Sequence, residues 1–178
     1  VASLAPDSLV FLDEFGCNTA MARRFARAPK GQRAVGSCPV NYGPNVSVVG
    51  AIRLAGVVTA MIVDGAFDGE AFTAFTTAFL APALKPGDVV VMDNLASHKL
   101  QAVIQAIEAV GARVLFLPPY SPDYNPIEMC WSKVKEYLRS QAARTSKALD
   151  DAIARGLELI TLSDLVGWFK HCGYAVRA

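Results

Sequence analysis

Three carboxylates stand where separate strands and a helix can bring them together: Asp13, Asp93 and Glu128. Asp13 ends or lies within a strand that contains the apolar run Val10-Phe11-Leu12, and Asp93 follows the run Val89-Val90-Val91-Met92. Glu128 falls in the first turn of a helix that opens at Asn125-Pro126. Sites in α/β proteins form beyond strand ends, where side chains from distant segments converge. Three acids without clustered Cys or His make a hard, oxygen-rich donor set. Such a set suits Mg²⁺ or Mn²⁺, which bind through a few carboxylates and keep waters for substrate phosphates. Two such ions can activate a water on one side of a phosphodiester and stabilise the leaving oxygen on the other. Each acid also has an ordinary structural use: a strand-end charge for Asp13, a turn shared with Asn94 for Asp93, and a capping-box-like pairing with Asn125 for Glu128. Catalysis by a serine or cysteine nucleophile has no support, since no histidine is placed by motif beside one.

Around these acids other polar residues recur. His98 lies five residues after Asp93 in the first turn of a helix, within reach of a phosphate, a metal-bound water or Asp93 itself. Asn94 shapes the turn after the strand. Glu14 points to the face opposite Asp13 if the segment is extended, and so falls outside the acidic set. Between Glu14 and Asp64 no acid occurs, whereas Arg23, Arg24, Arg27, Lys30, Arg33 and Arg53 fall in that gap. Lys133, Lys135 and Arg139 form a second basic group on the Asn125 helix. Together with the Arg23–Arg33 set they suggest a track for DNA phosphates, whose binding would weaken with salt. Tyr120 and Tyr124 can stack on bases or pack within their loop.

The elements that must position these groups are legible in the apolar pattern. After the first strand, residues 16–45 hold seven Gly or Pro and read as irregular or edge structure. Val46 to Val63 reads as two strands joined near Ala55-Gly56. Asp68 caps a helix with Phe72, Phe75 and Phe79 on one face, ended by Pro82 and Pro86. Ser97 is expected to cap the next helix, with Leu100, Val103, Ile104 and Ile107 inward and Gly111 as its stop. Val114–Leu117 is a third short strand, and Pro118-Pro119-Tyr120-Ser121-Pro122 a stiff extended loop. The following helix has Asn125 as cap, Pro126 at its first position, and Ile127, Trp131, Val134 and Leu138 inward. A further helix spans about Ser146 to Leu159, and Ser163 is expected to cap a last one. The order is α/β: a hairpin first, then crossover-connected strands in a mixed sheet.

Composition narrows the function classes. At 53% apolar and 19% charged residues, the 178-residue chain can build a real core and is not a disordered tail. A net charge of +1 excludes bulk polyanion binding. Cys17, Cys38, Cys130 and Cys172 are scattered, which argues against a disulfide scaffold or zinc knuckle and suits a reducing cytosol. The Val46–Val63 run is long enough to consider as a membrane span, but Arg53 near its centre would cost roughly 2.5–3.5 kcal/mol there. The β-hairpin is the better reading, and no membrane partner is expected.

Taken together, Leu12-Asp13-Glu14, then Met92-Asp93-Asn94 with Ser97-His98, then Pro118-Pro119-Tyr120-Ser121-Pro122-Asp123-Tyr124-Asn125-Pro126-Ile127-Glu128 resemble the catalytic core of the DDE transposases. The nearest group is the bacterial insertion-sequence branch of the mariner superfamily. The spacing agrees, with 34 residues (94–127) between Asp93 and Glu128. Trp131, Lys135, Lys30-Gly31-Gln32 and His171-Cys172-Gly173-Tyr174 are similar to the same group. The resemblance implies a ribonuclease-H-like fold, a mixed sheet flanked by helices. It implies that Asp13, Asp93 and Glu128 are the catalytic triad, holding two Mg²⁺ or Mn²⁺ ions, with His98, Asn94 and Asn125 standing behind them. The reaction implied is strand cleavage at transposon ends, followed by attack of the freed 3′-hydroxyl on target DNA, typically at a TA step.

The implied partners are transposon-end and target DNA and a second copy of the chain, in the bacterial cytosol beside the nucleoid. Relatives of this kind carry N-terminal helix-turn-helix domains, whereas twelve residues precede Asp13. Residues 1–178 are therefore expected to be one catalytic domain without the helix-turn-helix module, either because the chain is a fragment or because the recognition module is a separate chain. A ribonuclease-H-like nuclease that does not join strands and a non-catalytic DNA-binding remnant are the alternatives.

Overall fold

The computed structural model describes residues 4–176. Strand β1 (Leu9–Cys17) is apolar at most positions and buried on both faces from Leu9 to Leu12, as a central strand must be. It pairs antiparallel with β2 (Val46–Arg53), which pairs antiparallel with β3 (Gly56–Asp64). On its other side β1 runs parallel to β4 (Val89–Met92), itself parallel to β5 (Arg113–Phe116). The sheet order is β3-β2-β1-β4-β5. The Val46–Val63 run is thus the expected hairpin, and among the described residues no helix is long and apolar enough to cross a membrane. Arg53, the charge inside that run, pairs with the buried Asp88 at 3.0 Å.

Alternation along β1 divides the core. Leu9, Phe11, Phe15 and Cys17 face helices α3 (Pro126–Gln141), α4 (Ser146–Glu158) and α5 (Leu162–His171). Val10 and Leu12 face helices α1 (Gly69–Phe75) and α2 (Gln101–Ala109). Helices thus cover both faces of the sheet. Each fully buried Leu or Phe in these clusters contributes about 1.5–3 kcal/mol, so the placement of β1 and α3 is strongly determined.

Several local expectations are corrected. The phenylalanine face of the first helix is broken because α1 passes into a π-helical turn over Thr76–Leu80. The wider turn shifts the register, so Leu80 is buried and Phe79 is 48% exposed. Ser97 caps nothing: Ser97–Lys99 form a 3₁₀ turn, and α2 begins after Leu100 without a side-chain cap. The last helix is capped by Thr161, not Ser163, because Thr161 and Asp164 complete a reciprocal capping box. Asn125 and Pro126 open α3 where expected, yet Asn125 makes no capping hydrogen bond, and Glu128 does not pair with it through its side chain. β1 runs on to Cys17, so Asp13 lies within the strand.

Candidate active site

The parity of β1 turns Asp13 toward α3, on the face of Phe11 and Phe15. Phe11 pairs with Val91, so two steps on the two chains stand level at Asp13 and Asp93. Opposite Asp13 on β2 is Gly50. A Cβ there would come within 2.9 Å of the Trp131 ring, so the missing side chain lets α3 settle close to the sheet. Trp131 is less than one turn past Glu128, and this seating carries Glu128 toward the strand ends. The result is one cavity of about 410 Å³ whose walls include Asp13, Asp93 and Glu128 together with Asn94, Asn125 and the Pro118–Pro122 loop. Three acids far apart in the chain therefore share one cavity.

Its electrostatics are uncompensated. Asp13 is 8% exposed, and its carboxyl is pushed up to about 8, first by burial and then by the negative charges of Glu128, Glu14 and Asp93. Among the described residues neither Asp13 nor Glu128 has an ion-pair partner. Asn125 is buried with its Oδ1 unpartnered, and it lines the same cavity. A buried acid without a counter-charge beside an orphaned oxygen is a setting that a hydrated divalent cation fits. Among the described residues, however, no three His, Cys, Asp or Glu side chains close on a common point tightly enough to hold an ion as they stand. The acids form walls, not a cage, in keeping with ions that retain much of their water.

Asp93 is held differently. Its Oδ1 accepts the Leu95 N–H at 2.9 Å and lies 2.7 Å from His98 Nδ1, an approach too oblique to complete a hydrogen bond. His98 is fully buried against the Phe72 ring, 4.4 Å between centroids, and its Nε2 lies 3.2 Å from Glu14 Oε2. Burial alone would push the imidazole down, but Asp93 and Glu14 outweigh it and raise His98 to about 9. Burial likewise pushes the Asp93 carboxyl up, and the His98 contact, the Leu95 N–H and Lys99 together bring it below its ordinary value. Asn94 donates to the Leu117 carbonyl, tying the end of β4 to the end of β5. His98 lies beside Asp93, one of the three places it could go. Glu14 points away from Asp13 as alternation requires, yet it reaches His98 on that other face. Its link to the acids was readable only by noticing that Glu14 and the helix after Asp93 lie on the same side of the sheet.

The basic residues divide. Arg23 and Arg24 join Arg139 and Arg144 along an open groove of about 720 Å³, and Arg144 donates to the Thr19 and Met21 carbonyls. Arg144 is the member that charge clustering in the sequence missed, because it lies beyond the end of α3. Arg27, Lys30 and Arg33 are exposed on the irregular segment 18–45 and do not line that groove. Lys133 is not free for a phosphate: it pairs with Asp164 and donates to the Leu159 carbonyl, clasping α3 to α5. Lys135 sits 5.2 Å over the Phe15 ring. Tyr120, at φ 55°, is fully exposed at the cavity rim, while the Tyr124 carbonyl accepts from Tyr174.

Sheet order, helices on both faces and an acidic cavity at the parallel strand ends define a ribonuclease-H-like protein. Residues 8–150 match the family model of the DDE superfamily endonucleases, and the chain belongs to that family. Solved structures of Mos1 transposase share the fold. Its paired-end complex with the left transposon end superposes with a TM-score of 0.75 at 16% identity, over 94% of this chain and 52% of that one. The Mos1 strand transfer complex gives 0.70 at 15% identity, over 94% and 51%. The catalytic domain of Mos1 mariner transposase gives 0.61 at 13%, over 93% and 76%. The chain thus spans about half the length of the Mos1 chains in these complexes. No curated protein sequence matches it.

Proposed function

We propose that residues 1–178 form the catalytic domain of a transposase that cleaves DNA strands at transposon ends and joins them to target DNA. Asp13, Asp93 and Glu128 are its metal ligands and catalytic residues. The observation that carries this reading is the shared cavity: acids from β1, the end of β4 and the start of α3 face one space, and the most buried of them has no counter-charge. A pair of Mg²⁺ or Mn²⁺ ions held there would neutralise phosphate charge, activate a hydroxyl nucleophile and stabilise the leaving oxygen. Phosphodiester transfer otherwise asks the protein mainly for position and field. Asp13 supplies a ligand fixed by the central strand, Glu128 one fixed by the seating of Trp131, and Asn125 an acceptor aimed into the same cavity. The Arg23–Arg24–Arg139–Arg144 groove holds DNA phosphates, and Tyr120 offers a ring to a base at the rim. Phe25, Val35, Val40 and Tyr42, all exposed on segment 18–45, suit contact with a second copy in the active complex. Recognition of the element ends falls to a helix-turn-helix module, on the same polypeptide or another chain, and the work is done in the cytosol at the nucleoid.

The test is a calorimetric titration of Mn²⁺ into the protein and into Asp93→Asn, with plasmid nicking and end-joining followed in parallel. Binding and nicking by the wild type alone support the reading. A wild type that binds no Mn²⁺, with or without DNA, rejects it. Nicking without joining of a cleaved end reduces the protein to a nuclease.

A further inference from the structure

We infer that His98 and Glu14 are positioning residues that hold the Asp93 carboxylate in place for the metal site, through a half-buried bridge on the far side of the sheet from Asp13. The inference rests on reading Asp93 as a metal ligand.

Asp93 needs such support more than Asp13 does. Asp13 lies inside β1, opposite Gly50 of β2, whereas the β4 ladder stops at Met92 and Asp93 begins an irregular turn with its side chain 43% exposed. Two free torsions at a chain turn would leave the carboxylate to sample many orientations. The contacts it makes all fall on one oxygen: the Leu95 N–H and His98 Nδ1 both meet Oδ1. Oδ2 is left without a protein partner among the described residues, free for the cavity.

His98 can hold that oxygen because it is itself held. It is fully buried, stacked at 31° on Phe72, and its second nitrogen faces Glu14. With Asp93 Oδ1 2.7 Å from Nδ1 and Glu14 Oε2 3.2 Å from Nε2, each nitrogen faces a carboxylate, which fixes the ring's place between the two acids. Glu14 comes from β1 directly after Asp13. One strand therefore places Asp13 on one face and, through Glu14 and His98, steadies Asp93 from the other. Both acids are thus tied to the same strand, Asp13 directly and Asp93 through the contacts of His98 and Glu14. Partners behind a ligand commonly govern metal affinity in this way.

The experiment uses the full chain and four variants: His98→Leu, His98→Asn, Glu14→Ala and Glu14→Gln. Mn²⁺ affinity is read by calorimetry, plasmid nicking is followed against Mn²⁺ concentration, and the imidazole N–H signals are observed by NMR in metal-free protein. His98→Leu and Glu14→Ala should weaken Mn²⁺ binding about ten- to a hundredfold. Nicking should need correspondingly more Mn²⁺, with the rate at saturation reduced less than the affinity. His98→Asn, which keeps a donor near Asp93 Oδ1, and Glu14→Gln, which keeps an acceptor for Nε2, should each recover much of the loss. In metal-free wild type the Nε2–H signal should exchange slowly, and Glu14→Ala should shift it.

Mn²⁺ affinity within about twofold of wild type in folded His98→Leu and Glu14→Ala overturns the positioning role while leaving the metal reading intact. If His98→Leu does not fold, Glu14→Ala and the NMR signals decide alone, and an Nε2–H in fast exchange in the wild type also overturns it. A wild type that binds no Mn²⁺ rejects the metal reading and the positioning role together.

Discussion

The acidic cavity and the basic segment 18–45 are built on opposite terms. Every acid of the cavity is placed by the core: Asp13 by the central strand, Asp93 by the end of its parallel neighbour, Glu128 by a helix whose apolar stripe is fully buried. Segment 18–45 has neither helix nor strand, and most of its residues from Arg23 onward are exposed. On the proposed function, the difference follows from what each is asked to do. In-line displacement needs ligands placed to a fraction of an ångström, which only rigid elements provide. Charge attraction to a phosphate chain tolerates a mobile donor, and loss of one contact is spread over many. The two regions should therefore fail differently when mutated.

The largest effect should come from the acids themselves. Asp13→Asn, Asp93→Asn and Glu128→Gln should each slow metal-dependent nicking by at least about a hundredfold, because a lost ligand removes several kcal/mol of transition-state stabilisation. None of them fills core space, so circular dichroism and the melting transition should show a folded protein. A residual rate within tenfold of wild type in all three would place the chemistry elsewhere.

Next comes the effect of pH on the metal-free protein. The Asp13 carboxyl is at about 8 when folded against an ordinary value of 3.8, so between those values the folded state binds a proton that the unfolded state lacks. Its contribution is fully present below about pH 4 and is lost as pH rises toward 8. His98, raised from 6.5 to about 9, contributes below pH 6.5 and loses its contribution as pH rises to 9. Both act in one direction, so the melting temperature without metal should fall as pH climbs from 4 to 9. On the proposed reading, Mn²⁺ displaces the Asp13 proton when it binds, so its affinity should strengthen with pH up to about 8. In Asp13→Asn the lower part of the stability slope, between pH 4 and 6.5, should vanish. A flat wild-type profile there would show that Asp13 is not buried as an acid.

A smaller effect, and a direct probe of rigid against irregular backbone, is available at two glycines. At Gly50 an added Cβ meets Trp131 at 2.9 Å and the Thr59 carbonyl at 3.2 Å, whereas at Gly36 nothing lies within 4 Å. Gly50→Ala should cost about 1–3 kcal/mol by overpacking, which lowers the melting temperature by some degrees. It should also slow nicking, because α3 and Glu128 are displaced together. Gly36→Ala should change neither. Equal melting temperatures for the two variants would mean that α3 does not press on the sheet at Gly50.

Much of this was legible in the sequence, and the failures have definite causes. The hairpin, the strands at Val89 and Val114, and the Pro126 helix follow from apolar period, Pro and Gly placement, and their order implies the mixed sheet. The cavity acids were legible because Asp93 and Glu128 sit at element boundaries, and Asp13 follows an apolar strand run, that the same pattern locates. What escaped depended on geometry that no period encodes. A π turn is one residue wider than its neighbours and exchanged Phe79 for Leu80. The cap at Thr161 won over Ser163 because Asp164 sits three residues after it. Lys133 reads as a free charge until α5 is docked and Asp164 arrives beside it. Glu14 was set aside for pointing away from Asp13, which it does; its partner, His98, arrives on that face from 84 residues away.

The smallest effects belong to the basic groove, and they separate charges that merely look alike in sequence. Arg23→Ala, Arg24→Ala and Arg139→Ala should each weaken DNA binding modestly and without regard to sequence. Each lost phosphate contact should lower the slope of log affinity against log salt by roughly one. Arg144→Ala should do the same and also loosen the segment, since its guanidinium holds the Thr19 and Met21 carbonyls. Lys133→Ala removes the same formal charge, but Lys133 is committed to Asp164 and the Leu159 carbonyl. It should leave the salt slope unchanged and instead lower the melting temperature slightly through the α3–α5 clasp. Filter binding across a salt series, set beside thermal melts, reads both quantities. If Lys133→Ala reduced the slope as much as Arg23→Ala, the clasp would open on DNA and α3 would belong with the DNA-facing surface instead of the rigid site.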